Sequence, residues 1–160
     1  MAITSPALEA LNAAGVAHDV VEIGRVGSIE EAAAAAGVDV AAFAKTLVVR
    51  VEQGSYVLVC VPGAARLDYG SLRTLLGVRR LTMPDADEAL AATGYARGTI
   101  TAWGAGGWPV IVDESLVGLE RVTLGSGVRG HAVALTGADL VASSGATVAS
   151  VALSDPPPAP

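Results

Sequence analysis

The sequence is poor in the residues that bind metals and form disulfides. It has one cysteine, Cys60, and two histidines, His18 and His131, in 160 residues. A zinc site needs further Cys or His ligands at short spacing, so no metal site is expected. Cys60 lies in the apolar run 57–61, where a thiol usually packs as a small buried hydrophobe. A chain of this length can bury a sufficient core without disulfides or metals.

Aromatic residues are also scarce, at 4% of a chain that is 52% hydrophobic. The core must therefore be built from Val, Leu, Ile and Ala, which suits a protein of mixed helices and strands. No run of about 18 apolar residues is free of charges, Gly and Pro, and the N-terminus lacks the parts of a secretory signal. We expect a soluble, cytoplasmic protein with no membrane partner. A single domain, 1–153, is followed by a Pro-rich segment, 154–160, that we expect to be a disordered tail.

Positive charge is in the minority, with 10 Lys and Arg against 16 Asp and Glu and a net charge of −6. This balance argues against a protein that coats the phosphates of DNA or of a long RNA with cations. A domain that holds only the last nucleotides of an RNA needs a few cations in one cleft. Net charge does not exclude such a local contact.

Caps and hydrophobic periodicity divide the chain into helices and strands. Ser5 and Ser28 are typical N-caps, and Gly37 and Gly77 are typical stops. Two β-branched runs on either side of residues 53–55 predict a hairpin whose apolar strands are covered on both faces. The predicted helices are 5–15, 28–37, 69–76, 84–92 and 138–142, and the predicted strands are 16–23, 45–52, 56–61, 109–113, 121–124, 131–135 and 147–153.

Lys45 is the only lysine of the chain, because the other nine basic residues are all arginine. A compact ammonium on a flexible stem can occupy places that a planar guanidinium cannot. The presence of this single lysine favours a chemical role for Lys45. The alternative is a solvated lysine at the start of a strand.

Two glycine-rich loops, 93–108 and 125–130, offer backbone N–H groups to a ligand. Glycines let the backbone approach an anionic oxygen closely, and long loops inside a compact domain tend to be functional. The alternative is that each loop is an ordinary turn with glycine at positive φ. Neither matches a dinucleotide-binding fingerprint or a P-loop. Ser126 lies near His131 but outside the kind of turn that presents a nucleophilic serine, so we do not expect a serine hydrolase.

Four short motifs occur in an order and spacing that are typical of one family. They are Lys45-Thr46-Leu47-Val48, Thr93-Gly94-Tyr95-Ala96-Arg97-Gly98, Asp113-Glu114-Ser115-Leu116 and Gly125-Ser126-Gly127-Val128-Arg129-Gly130. On these motifs the chain resembles the YbaK/EbsC family, and the resemblance extends over about residues 5–152.

This resemblance implies an α+β fold, a single domain in which helices surround a mixed, mostly antiparallel β-sheet of six to seven strands. Members of the family are trans-acting editing domains, and related domains are inserted into bacterial prolyl-tRNA synthetases. They hydrolyse the ester of a mischarged tRNA without a metal or another cofactor. The resemblance therefore implies a deacylase of mischarged tRNA, with a prolyl- or cysteinyl-type editing substrate and an aminoacyl-tRNA synthetase as a further partner.

The resemblance also implies where the site lies. It carries the family's key catalytic lysine to Lys45, with Thr46 beside it, and it assigns a structural role to Asp68. Ala102 stands where the family has proline, which releases φ and restores an N–H, so we expect altered loop rigidity and altered selectivity. The substrate-facing loops are carried to Gly98, Thr99, Ile100, Thr101 and Ala102, and to Ser126, Gly127, Val128, Arg129 and Gly130.

An aminoacyl ester is already activated by the neighbouring ribose hydroxyl, so such a site must supply position and charge. Lys45 would hold the phosphate of the terminal adenosine or the ester region, and N–H groups of the Gly98 and Gly127 loops would stabilise the oxyanion. The alternative is a non-catalytic binding module on the same fold, for an aminoacyl-tRNA or a small ligand. The substitution at Ala102 and the acidic net charge favour that alternative.

Overall fold

Side-chain caps define the helices. The computed structural model describes residues 3–153, and the predicted tail, 154–160, lies outside the described residues. Ser5 and Ser28 each accept a hydrogen bond from a backbone N–H three residues further on, as their positions predict. The helices are α1 (Pro6–Ala13), α2 (Ile29–Ala36), α3 (Tyr69–Leu76), α4 (Ala86–Thr93), α5 (Glu114–Val117) and α6 (Gly137–Ser144), with a 3₁₀ turn at Val40–Ala42.

The predicted helices all form, with small shifts at their ends. α2 and α3 end at Gly37 and Gly77, whose φ values of 71° and 68° favour glycine. α4 begins after Pro84 because Asp85 is its N-cap, and α6 extends beyond the predicted 138–142. The sequence pattern does not reveal α5 or the 3₁₀ turn, since each is about one turn long. Within the described part of the chain, no helix has the length and apolar character needed to cross a membrane.

The strands form a mixed sheet in two parts. One part has three strands in the order β1-β7-β6, and the other has four in the order β2-β3-β5-β8. A parallel bridge between Phe43 and Thr123 joins them into one surface, and β4 pairs with β9 at its margin. The strands are β1 (Asp19–Glu22), β2 (Ala44–Glu52), β3 (Ser55–Pro62), β4 (Arg66–Leu67), β5 (Val110–Asp113), β6 (Val122–Gly125), β7 (His131–Leu135), β8 (Thr147–Ala149) and β9 (Ala152–Leu153).

The strand pairing matches the expected fold class. The β1–β7, β6–β7, β2–β3 and β4–β9 pairs are antiparallel, whereas β3–β5 and β5–β8 are parallel. Helices surround this mixed, mostly antiparallel sheet, so the α+β prediction is confirmed. The predicted hairpin is also confirmed, as β2 and β3.

The alternation of side chains along β3 builds two cores. Tyr56, Leu58 and Cys60 face the larger one, with α1, α4 and α6, and the intervening valines of β3 face a second one with α3. Because β3 has buried side chains on both faces, its run of apolar residues has no polar alternation. Cys60 is fully buried, as its apolar surroundings in the sequence predict.

The predicted last strand, 147–153, is wrong as a single element. It breaks into β8 and β9 because Asp113, which is 4% exposed at the end of β5, accepts hydrogen bonds from Val151 N (2.9 Å) and Ala152 N (3.0 Å). The backbone there turns away from β5, and β9 pairs with β4 instead. The other carboxylate oxygen of Asp113 accepts from the N–H and hydroxyl of Ser115, which starts α5.

The contact between α5 and α6 provides a test of the packing. A Cβ on Gly137 would overlap the carbonyl oxygen of Leu116 and lie 2.6 Å from that of Val117. We expect Gly137→Ala to lower the free energy of unfolding by about 2 kcal/mol or more, as overpacking does. Urea denaturation measures this change.

Gly118→Ala is the matched control, because a Cβ there meets nothing within 4 Å and φ is −85°. Its free energy of unfolding should stay within about 1 kcal/mol of the wild-type value. Equal stability of the two variants would contradict the close approach of α6 to α5.

Candidate active site

A cleft of about 960 Å³ lies beside the start of β2. It is partly open to solvent. The sides of the cleft come from parts of the chain that are far apart in sequence. They are residues 23–29 with Ala32, residues 43–48, residues 83–86 with Ala89, residues 97–100 without Thr99, and Gly125 with residues 129–132.

Six of the residues expected in the site line this cleft. Lys45 and Thr46 do so from the first residues of β2, where Lys45 is half-buried. Among the described residues, the Lys45 ammonium makes no hydrogen bond or ion pair, so it is available to a ligand. The other four come from the two glycine-rich loops: Gly98, Ile100, Arg129 and Gly130.

The other six expected residues do not line the cleft but lie beneath its surface or beside it. Thr99 is buried and its hydroxyl donates to Ala96 O at 2.8 Å. Thr101 and Ala102 are also buried, and Ala102 belongs to the larger core. Ser126 is fully buried, and its hydroxyl donates to the carbonyl of His131. Gly127 and Val128 are half-buried.

The two glycine-rich loops contact each other directly. Gly127 N donates to Thr99 O at 3.0 Å. A Cβ on Gly125 would lie 2.5 Å from Ile100 O, so the backbones meet where only glycine fits. Gly127, at φ 84°, packs in the same way against the ring of Tyr95. The loops therefore form one side of the cleft as a unit.

This contact changes which N–H groups can stabilise an oxyanion. The Gly127 amide, which belongs to one of the two loops expected to stabilise the oxyanion, already donates to Thr99 O and is not available. The N–H groups of Gly98 and Gly130 have no hydrogen-bond partner within residues 3–153, and both residues line the cleft. The candidate donors are therefore Gly98 and Gly130.

The cleft is positively charged although the chain is acidic. Arg25, Lys45, Arg97 and Arg129 line it, which is four of the ten Lys and Arg residues. The carboxylate among the lining residues is that of Asp85, and it caps α4 by accepting from Glu88 N at 2.8 Å. An anion that enters the cleft therefore meets several cations in a partly enclosed space, where charges interact more strongly than in bulk water.

Comparison with known proteins identifies the family. The model of the aminoacyl-tRNA editing domain matches residues 24–142, well over half of the chain. The chain belongs to this family. The matched region contains every lining residue of the cleft except Ile23. The resemblance seen in the sequence is thereby confirmed.

Individual relatives support the same assignment for this editing domain. The uncharacterized protein YwhH of Bacillus subtilis (strain 168) is 31% identical over 115 residues, which cover 71% of this chain and 72% of YwhH. The crystal structure of the hypothetical protein APE2540 has a TM-score of 0.84 at 28% identity and covers 91% of this chain and 97% of its own. A crystal structure of a protein proposed as a trans-editing enzyme for prolyl tRNA synthetase has a TM-score of 0.84 at 31% identity, with 94% and 99% covered.

Neither the cysteine nor a Ser–His pair of this editing domain is placed for catalysis. Cys60 lies behind Thr46, 3.5 Å from its hydroxyl, and burial raises the pKa of the Cys60 thiol to about 11. The thiol therefore stays protonated at neutral pH. The Ser126 hydroxyl donates to the backbone carbonyl of His131 and not to its ring, so these two side chains do not form a Ser–His pair. Across residues 3–153, no group of three or more His, Cys, Asp and Glu side chains is arranged to bind a metal ion.

Several residues that line the cleft were not predicted from the sequence. Arg97 lies inside a recognised motif, so its motif was the signal that could have found it. Arg25 and the segment 83–86 have no comparable signal, because only the fold brings them to Lys45. His131 lines the cleft at the start of β7, where it is half-buried.

The contact between the loops predicts the effect of a single methyl group. Gly125→Ala would place a Cβ 2.5 Å from Ile100 O and 3.2 Å from Thr99 O, so residues 98–100 must shift. We expect the domain to remain folded and any hydrolysis of mischarged tRNA to slow by up to about a hundredfold, the effect of a misplacement of about 1 Å. Hydrolysis of a mischarged tRNA, followed beside the melting temperature, measures both. A folded variant with wild-type rate would show that this loop does not position the substrate.

Proposed function

We propose that this chain is a trans-acting aminoacyl-tRNA deacylase, which hydrolyses the ester of a mischarged tRNA. The observation that carries the proposal is the Lys45 ammonium, which has no partner within residues 3–153 and lies in a cleft that also contains three arginines. The family assignment and the relative proposed as a trans-editing enzyme for prolyl tRNA synthetase support it.

The charges of the cleft suit the 3′ end of a tRNA. A terminal aminoacyl-adenosine carries a phosphate next to the reacting ester, so it needs local cations and not a basic surface. Arg25, Arg97 and Arg129 are exposed, which lets them contact phosphates, whereas Lys45 is half-buried nearer the interior. This division supports a role for the arginines at the backbone of the RNA and for Lys45 at the last phosphate or the ester.

The reaction needs positioned charge more than a strong acid or base. Water attacks the carbonyl carbon of the ester, the carbonyl oxygen becomes an oxyanion, and the bond to the ribose oxygen then breaks. The proton lost by water ends on that ribose oxygen, so the products are a free amino acid and uncharged tRNA. Lys45 and the N–H groups of Gly98 and Gly130 would stabilise the oxyanion. No step of this scheme requires a metal or cofactor.

Selectivity would come from the size of the interior of the cleft. Ala44, Val48, Ala89 and Ala132 line it and are buried, and Ile100 is half-buried beside them. Small apolar walls suit a small, uncharged aminoacyl side chain and discriminate by about 1–3 kcal/mol per methylene. A prolyl- or cysteinyl-type editing system, with a synthetase as partner, is consistent with such a pocket.

A non-catalytic binding module on the same fold remains the second candidate. The observation that favours it is that the Asp85 carboxylate, which lines the cleft, is already engaged in capping α4. Such a module would bind an aminoacyl-tRNA end without releasing the amino acid. Incubation with a panel of mischarged tRNAs separates the two, because only the deacylase produces free amino acid.

Substitution of Lys45 tests the proposed role. Lys45→Ala should slow deacylation by roughly two orders of magnitude, which corresponds to about 3 kcal/mol of transition-state stabilisation. Lys45→Arg should also be severely impaired, because the planar guanidinium cannot occupy the position of the ammonium. Single-turnover rates and circular dichroism measure activity and fold.

The control for Lys45 is Arg121→Ala, which removes an exposed cation paired with Asp19 at 2.7 Å, outside the cleft. Its rate should equal that of the wild type. Near-normal hydrolysis by a folded Lys45→Ala variant would refute the catalytic role and favour the binding module.

The arginines are tested by the salt dependence of binding. For a short 3′-terminal oligonucleotide with an amide-linked amino acid, log Kd should rise with log[salt] by about 0.7 for each phosphate contact. Arg129→Gln should reduce this slope by about that amount, whereas Arg121→Gln should not change it. An unchanged slope in Arg129→Gln would mean that Arg129 does not contact a phosphate.

A further inference from the structure

Three side chains outside the cleft form a compact cluster behind one of its walls. Arg50 on β2 and Tyr56 on β3 are directly opposite each other in the strand register. Glu88 on α4 binds both: Arg50 Nη1 donates to its two carboxylate oxygens at 2.7 and 2.8 Å, and Tyr56 Oη donates to one of them at 2.6 Å. We call these three residues the Glu88 cluster.

The cluster is connected to both ends of the chain segment 82–92. At the first end, Arg50 and Thr82 exchange two backbone hydrogen bonds, and Arg50 Nε donates to the Thr82 hydroxyl at 3.1 Å. At the other end, the Tyr56 ring packs edge-on against Trp108, with centroids 5.2 Å apart, and Trp108 Nε1 donates to Ala92 O at 2.8 Å. The whole segment is therefore attached to the β2–β3 hairpin.

This segment is a wall of the cleft. Met83, Pro84, Asp85, Ala86 and Ala89 all line it. Val48 lines the same space from β2, and Val48 and Ala89 belong to the same buried hydrophobic cluster. Arg50 lies two residues further along the same face of β2, a step of about 7 Å, and does not line the cleft. The Glu88 cluster thus lies directly behind the layer that Val48 and Ala89 form.

The protonation states of the three side chains preserve the hydrogen bonds of the cluster. The hydrogen bond from Tyr56 and the nearby Arg50 guanidinium lower the pKa of Glu88, and the same hydrogen bond raises the pKa of Tyr56. At neutral pH Glu88 is therefore ionised and Tyr56 is protonated, as the contacts require. The Arg50 and Glu88 side chains are 35% and 29% exposed, so water screens the pair and its effect on overall stability is small. These contacts therefore act mainly by fixing the position of segment 82–92 relative to the β2–β3 hairpin.

From this geometry we infer that Arg50, Tyr56 and Glu88 are positioning residues that fix the wall 83–89. The position of that wall limits the size of the aminoacyl side chain that the cleft accepts. The inference rests on the proposed deacylase function of the same cleft. It assigns selectivity to residues that touch neither the substrate nor Lys45.

The test compares two esters of one tRNA, alanyl and 2-aminobutyryl, which differ by one methylene. In Glu88→Gln the ratio of kcat/KM for alanyl over 2-aminobutyryl ester should fall about tenfold, the discrimination that the fit of one methylene provides. The value of kcat for the alanyl ester should change by less than about twofold, because Lys45 is untouched. A purely structural defect would instead lower both rates together and leave their ratio unchanged.

Two further variants make the result specific. Tyr56→Phe removes one hydroxyl and keeps the ring that packs on Trp108, so it should fold and shift the ratio in the same direction. Arg50→Gln should do so as well, whereas Arg121→Gln makes the same change at an exposed ion pair and should leave the ratio at the wild-type value. Because Tyr56 and Arg50 both bind the Glu88 carboxylate, the effects of Tyr56→Phe and Glu88→Gln on the kcat/KM ratio should not add.

A second measurement separates this inference from the proposed function. The affinities of 3′-alanylamino- and 3′-(2-aminobutyryl)amino-3′-deoxyadenosine can be compared without any hydrolysis. If the wild type binds these analogues selectively but hydrolyses neither ester, the deacylase proposal fails while the inference is still tested by the affinity ratio. If the Glu88→Gln and Tyr56→Phe variants fold but keep the wild-type ratios of kcat/KM and of affinity, the inference is overturned.

Discussion

The register between β2 and β3 is the constraint on which the rest of the structure depends. It places Lys45 and Thr46 at the cleft and Arg50 opposite Tyr56, all on one continuous strand. It also divides the side chains of β3 between the two cores. A slip of one residue would exchange the faces of β2, because successive side chains point to opposite sides. The burial of Val49 and Val59 on one face and of Val48 and Leu58 on the other prevents that slip.

Much of the fold could be predicted because its signals are local. An N-cap such as Ser28, a stop such as Gly37 and an apolar run such as that of β3 each act within a few residues, so a single sequence shows them. The order of four motifs also indicated the family. The same local rules cannot show that Asp113 accepts hydrogen bonds from Val151 and Ala152, 38 and 39 residues away, and so breaks the last strand.

The candidate site was predictable only in part, for a related reason. Motifs identify a stretch of chain, but the fold decides which of its residues face the cleft. Gly98 and Ile100 line it, whereas Thr99 between them is buried and bonded to Ala96. In the second loop Arg129 and Gly130 line it, and Ser126 supports the loop from inside. Arg25 and the wall 83–89 come to the site only through tertiary packing, which no motif records.

The charge of the site also differs from the net charge of the whole chain. A net charge of −6 repels nucleic acid at a distance, yet Arg25, Lys45, Arg97 and Arg129 share one cleft. Screening limits the reach of the distant carboxylates to about 8 Å at physiological ionic strength, so the cations of the cleft dominate at contact. A ligand that presents one anionic end is therefore favoured over a long polyanion, which would have to lie along acidic surface. The proposed preference for a tRNA end over other nucleic acids would follow from this charge distribution, because a single anionic end needs only the cations of the cleft.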